Sequence, residues 1–172
     1  MRRFVPFIAV LLMVSNLANA EDAFECPLDY PPAVLKNGGY RINKKERVSH
    51  EHATLSDTVR VDVEGKGCEY SVYDYRFTIA RPMPDQWGIG REYTMAIDLL
   101  TLLEKSQSEL KFDHQKRALR AYRQLMVDPA LNQEIRADRS LLHAQFYDTV
   151  TVSGDLEKNP AVLVITTSSG PY

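Results

Sequence analysis

Phosphate-cradling glycine loops, nucleophile elbows and clustered cysteines are all missing from this chain. Gly38-Gly39 and Gly88-Ile89-Gly90 lack the spacing of a loop that wraps a phosphate. No Gly-x-Ser-x-Gly sequence presents a serine for nucleophilic attack. Beyond residue 20 no apolar stretch approaches the about 20 residues that a membrane helix needs. Neither sign of charge dominates, with 21 Lys and Arg against 23 Asp and Glu. The electrostatic footprint of a nucleic-acid binder is therefore absent. With 44% hydrophobic and 26% charged residues, the chain is also too apolar and too evenly charged for a disordered one. The reading excludes nucleic acid as a partner and a membrane span after residue 20, and it calls for no cofactor.

What is present begins at the N-terminus. Arg2 and Arg3 precede an apolar run from Phe4 to Val14, followed by a polar exit and Ala18-Asn19-Ala20. A charged start, a short apolar centre and a small-x-small exit have the form of a secretory signal peptide. Residues 1–20 are read as that leader and 21–172 as one α+β domain, periplasmic or secreted, in a bacterium. Cleavage near Ala20 leaves 152 residues and removes two arginines, which moves the formal net charge from −2 to −4. A chain of that size buries roughly 70% of its unfolded surface.

The two cysteines, Cys26 and Cys68, fit an exported chain. An oxidising compartment joins thiols that can meet, and no third or fourth cysteine completes a metal site. A disulfide between them is expected. The chain-entropy account credits a loop of this length with roughly 4 kcal/mol.

Pro27, Pro31 and Pro32, then Asn37-Gly38-Gly39, predict an extended leader ending in a turn over residues 21–39. Tyr40 to Val48, rich in Lys and Arg, is a candidate edge strand. Val59, Val61 and Val63 alternate with Arg60, Asp62 and Glu64, the period of a half-buried strand. Gly65-Lys66-Gly67 then reads as a turn. In the following strand the apolar phase passes from Cys68, Tyr70 and Val72 to Tyr73, Tyr75, Phe77 and Ile79, which predicts a β-bulge near Val72-Tyr73.

After a Pro- and Gly-containing loop over 81–90, the period becomes helical. Tyr93, Ala96, Ile97, Leu100 and Leu103 recur at spacings of three and four. Asp113 is placed to cap a second helix with Ala118, Leu119, Tyr122, Leu125 and Met126 on its apolar face, ending at Asp128-Pro129. A short third helix is expected over Leu131 to Ala137. Phe146 to Val152 and Ala161 to Thr167 return to strand, with Ser153-Gly154-Asp155 as a turn. Strands, helices, then strands predict an α+β fold: an antiparallel sheet from N- and C-terminal hairpins, with a central helical pair on one face.

Candidate chemistry is sparse. His50 and His52 flank Glu51, and in an extended segment they point to one side about 7 Å apart. Two imidazoles so placed could begin a zinc or copper site; the plainer reading is a solvated polar segment. Neither His114 nor His143 can be assigned to them. Glu92 and Asp98 are read as solvent-facing helix residues, Glu92 favouring the helix dipole. Lys111, Lys116, Arg117, Arg120 and Arg123 make the second helix basic and amphipathic. They suit an acidic partner or anionic lipid, or simply a solvated face. Trp87, in the 83–90 loop, and Tyr172 are side chains of the kind that anchor interfaces, against a core plug and a frayed end. Tyr70, Tyr73 and Tyr75 read as sheet packing rather than a sugar platform.

The tail Ser169-Gly170-Pro171-Tyr172 resembles the Ser-Gly-x-Tyr loop of bacterial periplasmic lysozyme inhibitors, which enters a lysozyme cleft. That resemblance spans four residues, and the helical middle of this chain departs from those mostly β proteins. Together these features favour a non-catalytic protein-binding domain: an inhibitor, immunity protein or envelope accessory factor. Trp87, Arg117, Arg120, Ser169 and Tyr172 are its candidate contact residues. A periplasmic protein binding a small ligand or metal through His50 and His52 is the second reading, and a hydrolase of envelope polymers the third.

Overall fold

A computed structural model describes residues 30–68, 70–80, 90–107, 110–137 and 148–170. Seven strands form one antiparallel sheet: β1 Arg41–Asn43, β2 Val48–Ser56, β3 Val59–Gly67, β4 Ser71–Ile79, β5 Ile135–Arg136, β6 Thr149–Asp155 and β7 Ala161–Ser169. Their order is β1-β2-β3-β4-β7-β6-β5. The N- and C-terminal hairpin systems therefore meet at β4 and β7, which pair in unbroken register from Ser71↔Ser169 to Ile79↔Ala161. Between them the chain makes α1 (Arg91–Ser106) and α2 (Asp113–Leu125). α1 packs on β6, β7 and β2, while α2 packs on α1, β5 and β6. The fold is mixed α+β with the helices against the sheet, as the order of periodicities predicts.

The period-two stripe is what builds the core. Val61, Phe77, Leu163 and Ile165 point to the helix side and are fully buried, against Tyr93, Leu100, Leu103 and Leu119. Every apolar position of the α1 stripe is buried, and so are Met95 and Leu99 beside it. Both lie off the expected stripe because α1 is covered on two sides, by the sheet and by α2. Glu92 in the first turn and Lys105 in the last suit the dipole.

Several local expectations are corrected. The edge strand covers only 41–43, and β2 begins at Val48, so the His50-Glu51-His52 segment is strand. No bulge interrupts β4, whose register with β3 is continuous from Ser71↔Gly67 to Ile79↔Val59. The apolar phase changes because Cys68 and Tyr70 precede the strand, and its helix-side face starts at Ser71. The irregularity lies in β2 instead, between Thr54 and Ser56. Gly65, Lys66 and Gly67 belong to β3 rather than to a turn. Gly65 is there because a Cβ would come within 2.5 Å of Ser49 Oγ, 2.8 Å of Tyr73 and 3.0 Å of Pro31. Likewise Ser153-Gly154-Asp155 completes β6, and the turn to β7 follows it, with a cis Asn159–Pro160 bond.

Asp113 is the first residue of α2 and caps nothing. The N-cap position belongs to Phe112, whose N–H donates to Glu104 Oε1 at 2.5 Å and whose ring meets Tyr75 edge-on at 5.4 Å. α2 ends at Leu125, before Asp128-Pro129, and Leu125 and Met126 are exposed rather than on its apolar face. The expected third helix is absent; Ile135–Arg136 adds instead to the sheet edge, where pairing with Val150 and Thr149 satisfies its backbone.

The segment before β1 is bound by side chains. Glu51 is buried, and its two carboxylate oxygens each accept one backbone N–H at 2.8 Å, from Val34 and Leu35. Lys36 N–H donates to Gln107 Oε1, and the Tyr40 and Tyr73 hydroxyls donate to the carbonyls of Pro31 and Pro32. Residues 31–36 thus form a strap held by β2, β4 and the end of α1.

Candidate functional site

The face of the sheet turned away from the helices carries the richest polar array. Alternation puts His50 and His52 of β2 on that face, while Ser49 and Glu51 are buried on the other. The same alternation brings out Asp62, Glu64 and Lys66 from β3 and Asp74 and Arg76 from β4. Register then fixes which of them meet. One rung runs Arg41, His50, Glu64, Asp74, Thr166 across five strands. The next runs His52, Asp62, Arg76, Val164. Around these rungs, with Gly39 at one end, lies a depression of about 410 Å³ that opens to solvent.

The two rungs differ electrostatically. In the second, Asp62 stands opposite Arg76 in register without closing an ion pair, a favourable arrangement of opposite charges. In the first, Glu64 faces Asp74, and like charges directly opposite cost stability. Local partners offset that repulsion. Lys66 pairs with Glu64, the hydrogen bond raising the ammonium pKa above its ordinary value. His50 Nδ1 lies 3.8 Å from Glu64, and the Thr166 hydroxyl donates to Asp74 at 2.6 Å. The surface offers carboxylates, a guanidinium, an ammonium and imidazoles to whatever lies on it. It suits ion pairing and hydrogen bonding with a mixed-charge surface.

The structure puts His50 and His52 side by side as expected, each opposite a carboxylate. Among the described residues, however, no group of three or more His, Cys, Asp or Glu side chains could hold a metal ion. His114 is on α2, apart from them; His143 lies outside the described residues. Arg117 and Arg120 are exposed on α2, on the opposite side of the sheet from this face. Ser169 is the last residue of β7, paired with Ser71. Trp87, Cys26, Pro171, Tyr172 and the leader 1–20 lie outside the described residues. The candidate contacts Arg117, Arg120 and Ser169 therefore do not converge on one site.

One basic residue needs correction. Lys116 is not part of a solvated face; it is 7% exposed, 2.5 Å from Glu104 Oε2 and 3.5 Å from Asp113 Oδ1. A lysine stem crosses apolar surface readily, and its charge is acceptable in the interior because it is paired. Asp98 is solvent-facing as expected, and Glu92 is held by Arg91 at 3.1 Å. Tyr73 and Tyr75 pack on the helix side, 6.3 Å apart. Burial pushes the Tyr75 hydroxyl well above its ordinary pKa.

Sequence reasoning missed Arg41, Asp62, Glu64, Lys66, Asp74 and Arg76 as a group. Each was legible only as the polar partner in an alternating stripe. Aligning the polar phases of consecutive strands would have shown them stacking.

No protein-family model, curated protein or solved structure matches the chain.

Proposed function

We propose that this protein is an exported, non-catalytic binding domain of the bacterial envelope, an inhibitor, immunity protein or accessory factor that docks another exported protein. The observation that supports it best is the outer face of the sheet, on which neither described helix packs. Its depression presents both signs of charge in register, including a Glu64–Asp74 opposition that a cationic group of a partner would meet alongside Lys66. Arg41, Asp62, Arg76 and His52 have no ion-pair partner within 4.0 Å among the described residues, which leaves them available for contact. The leader-like residues 1–20 support export, and Cys26 with Cys68 supplies the bridge that an oxidising compartment would form. The deciding experiment compares capture from periplasmic extract by the wild type and by an Asp62→Lys, Arg76→Glu double variant. A partner retained by the first and lost by the second is the expected result; equal capture sinks the reading. N-terminal mass analysis checks processing near Ala20. Reduction should lower the thermal midpoint, and an unchanged midpoint removes the bridge.

A second reading, binding of a small ligand or metal, draws on His50 and His52 sharing this face beside Glu64 and Asp62. Titration with zinc or copper should then raise the melting temperature of the wild type and not of a His50→Ala, His52→Ala variant.

A further inference from the structure

The tip that follows α2 is the most exposed apolar feature among the described residues. Leu125 is 81% exposed and Val127 93%, with Met126 at 45% between them. These side chains are held out by the fold rather than left on a frayed end. Met126 adopts extended backbone (φ −97°, ψ 131°), and its N–H closes the last turn on the Tyr122 carbonyl at 3.1 Å. The Tyr122 ring packs on buried Tyr93 at 5.3 Å. On the other side of the tip Pro129 is buried, and the Ala130 carbonyl accepts the Tyr93 hydroxyl at 2.6 Å. Both ends of the tip are thus tied to one buried tyrosine.

Two observations define what the tip suits. Leu125 closes α2, Met126 is extended and Val127 lies in a bend, so the three side chains continue no single helix stripe or strand face, and a protein groove shaped for one regular face would leave part of them in water. An apolar medium open on all sides would take them all. The flank of the tip is cationic: Arg117, Arg120 and Arg123 are exposed on α2, and none forms an ion pair among the described residues. Asp113, at the far end of the helix, is engaged by Lys116 at 3.5 Å, and Asp128 is the acidic group at the tip itself.

We infer that this end of the molecule docks peripherally on an anionic lipid surface. The three arginines meet headgroup phosphates, and Leu125, Met126 and Val127 enter the boundary between headgroups and acyl chains. The contact is independent of the outer sheet face, which α2 does not reach. Each arginine near an anionic surface contributes roughly fivefold in partitioning, about 1 kcal/mol.

The test is co-sedimentation with vesicles, using protein expressed as the full chain and recovered with the leader processing the cell performs. All variants share that N-terminus, so the contrast isolates the tip. Vesicles of phosphatidylglycerol mixed with phosphatidylcholine are compared with phosphatidylcholine alone, at low and high salt. The wild type should sediment with the anionic vesicles only, and salt should release it. Val127→Asp with Leu125→Asp should abolish sedimentation, and Arg117→Ser with Arg120→Ser should weaken it roughly twenty-five-fold. Because the substituted side chains are exposed, circular dichroism and the thermal midpoint should stay unchanged. Failure to sediment with anionic vesicles, or sedimentation that Leu125→Asp and Val127→Asp leave intact, overturns the inference. So does tip-dependent binding of an acidic protein without lipid binding, which would assign the tip to a protein groove.

Discussion

The two faces of the sheet are made by the same strands, yet they obey different rules. On the helix side, Val61, Phe77 and Ile165 are fully buried and leave no atom to solvent. On the outer side, one residue away along the chain, Asp62 and Arg76 lie open and meet by register alone, while in the neighbouring rung half-buried Thr166 donates to Asp74. The inner face is fixed by volume, because a close-packed interior registers the loss of a single methylene. The outer face is fixed by charge, and nothing in the fold requires its particular pattern. Stability and recognition are therefore separable here at neighbouring positions of one strand.

That separation can be tested from its strongest arm downward. Phe77→Ala should cost about 3–5 kcal/mol in urea unfolding, because it removes a fully buried ring and leaves a cavity. Arg76→Ala, next to it, should fall within about 0.5 kcal/mol; comparable losses at the two sites would abolish the distinction. Glu51→Ala should cost about 2 kcal/mol, since the Val34 and Leu35 N–H groups lose both acceptors in a buried position. Earlier proteolysis in the 31–36 strap than in the wild type would identify the lost tether. A smaller effect is expected on the alkaline side. Burial, with lesser help from Tyr122 and Glu92, pushes the Tyr93 hydroxyl up to about 12. Its pKa is raised on folding, so its contribution is complete below the unfolded value near 10 and disappears as the pH climbs from there toward 12. Pulse unfolding across that window should show Tyr93→Phe losing less stability than the wild type. Least of all should the Asp62→Lys, Arg76→Glu double variant disturb the fold, because it keeps opposite charges facing each other, with an unchanged denaturation midpoint within about 0.5 kcal/mol while partner capture fails.

Legibility in the sequence followed the same division. The Val59-Val61-Val63 stripe and the α1 stripe were readable because one-sided burial imposes a period on the chain. β2 was not, since its inward positions are Ser49, Glu51, Ala53 and Leu55, and a polar pair at the start of that face hides the alternation. Glu51 is inward because it serves the strap, a purpose no local pattern reveals. The third-helix expectation failed over 131–137 because Ile135–Arg136 gains its hydrogen bonds from a strand later in the chain. Asp113 looked like a cap, but helix entry was decided by Phe112 packing on Tyr75 and by Glu104 receiving its N–H. The outer rungs were invisible for a related reason: register is a relation between strands, and each strand alone shows only half of it.

The strap also sets an order in time. Apart from Tyr40, nine residues on from Pro31, its acceptors and donors lie further downstream: 16 residues on for Glu51, 41 for Tyr73 and 71 for Gln107. Contacts of such long range wait for the chain that supplies them and slow the approach to the native state. Lys36 finds its acceptor only once Gln107 at the end of α1 has docked, so the strap is completed only when the helical middle has folded.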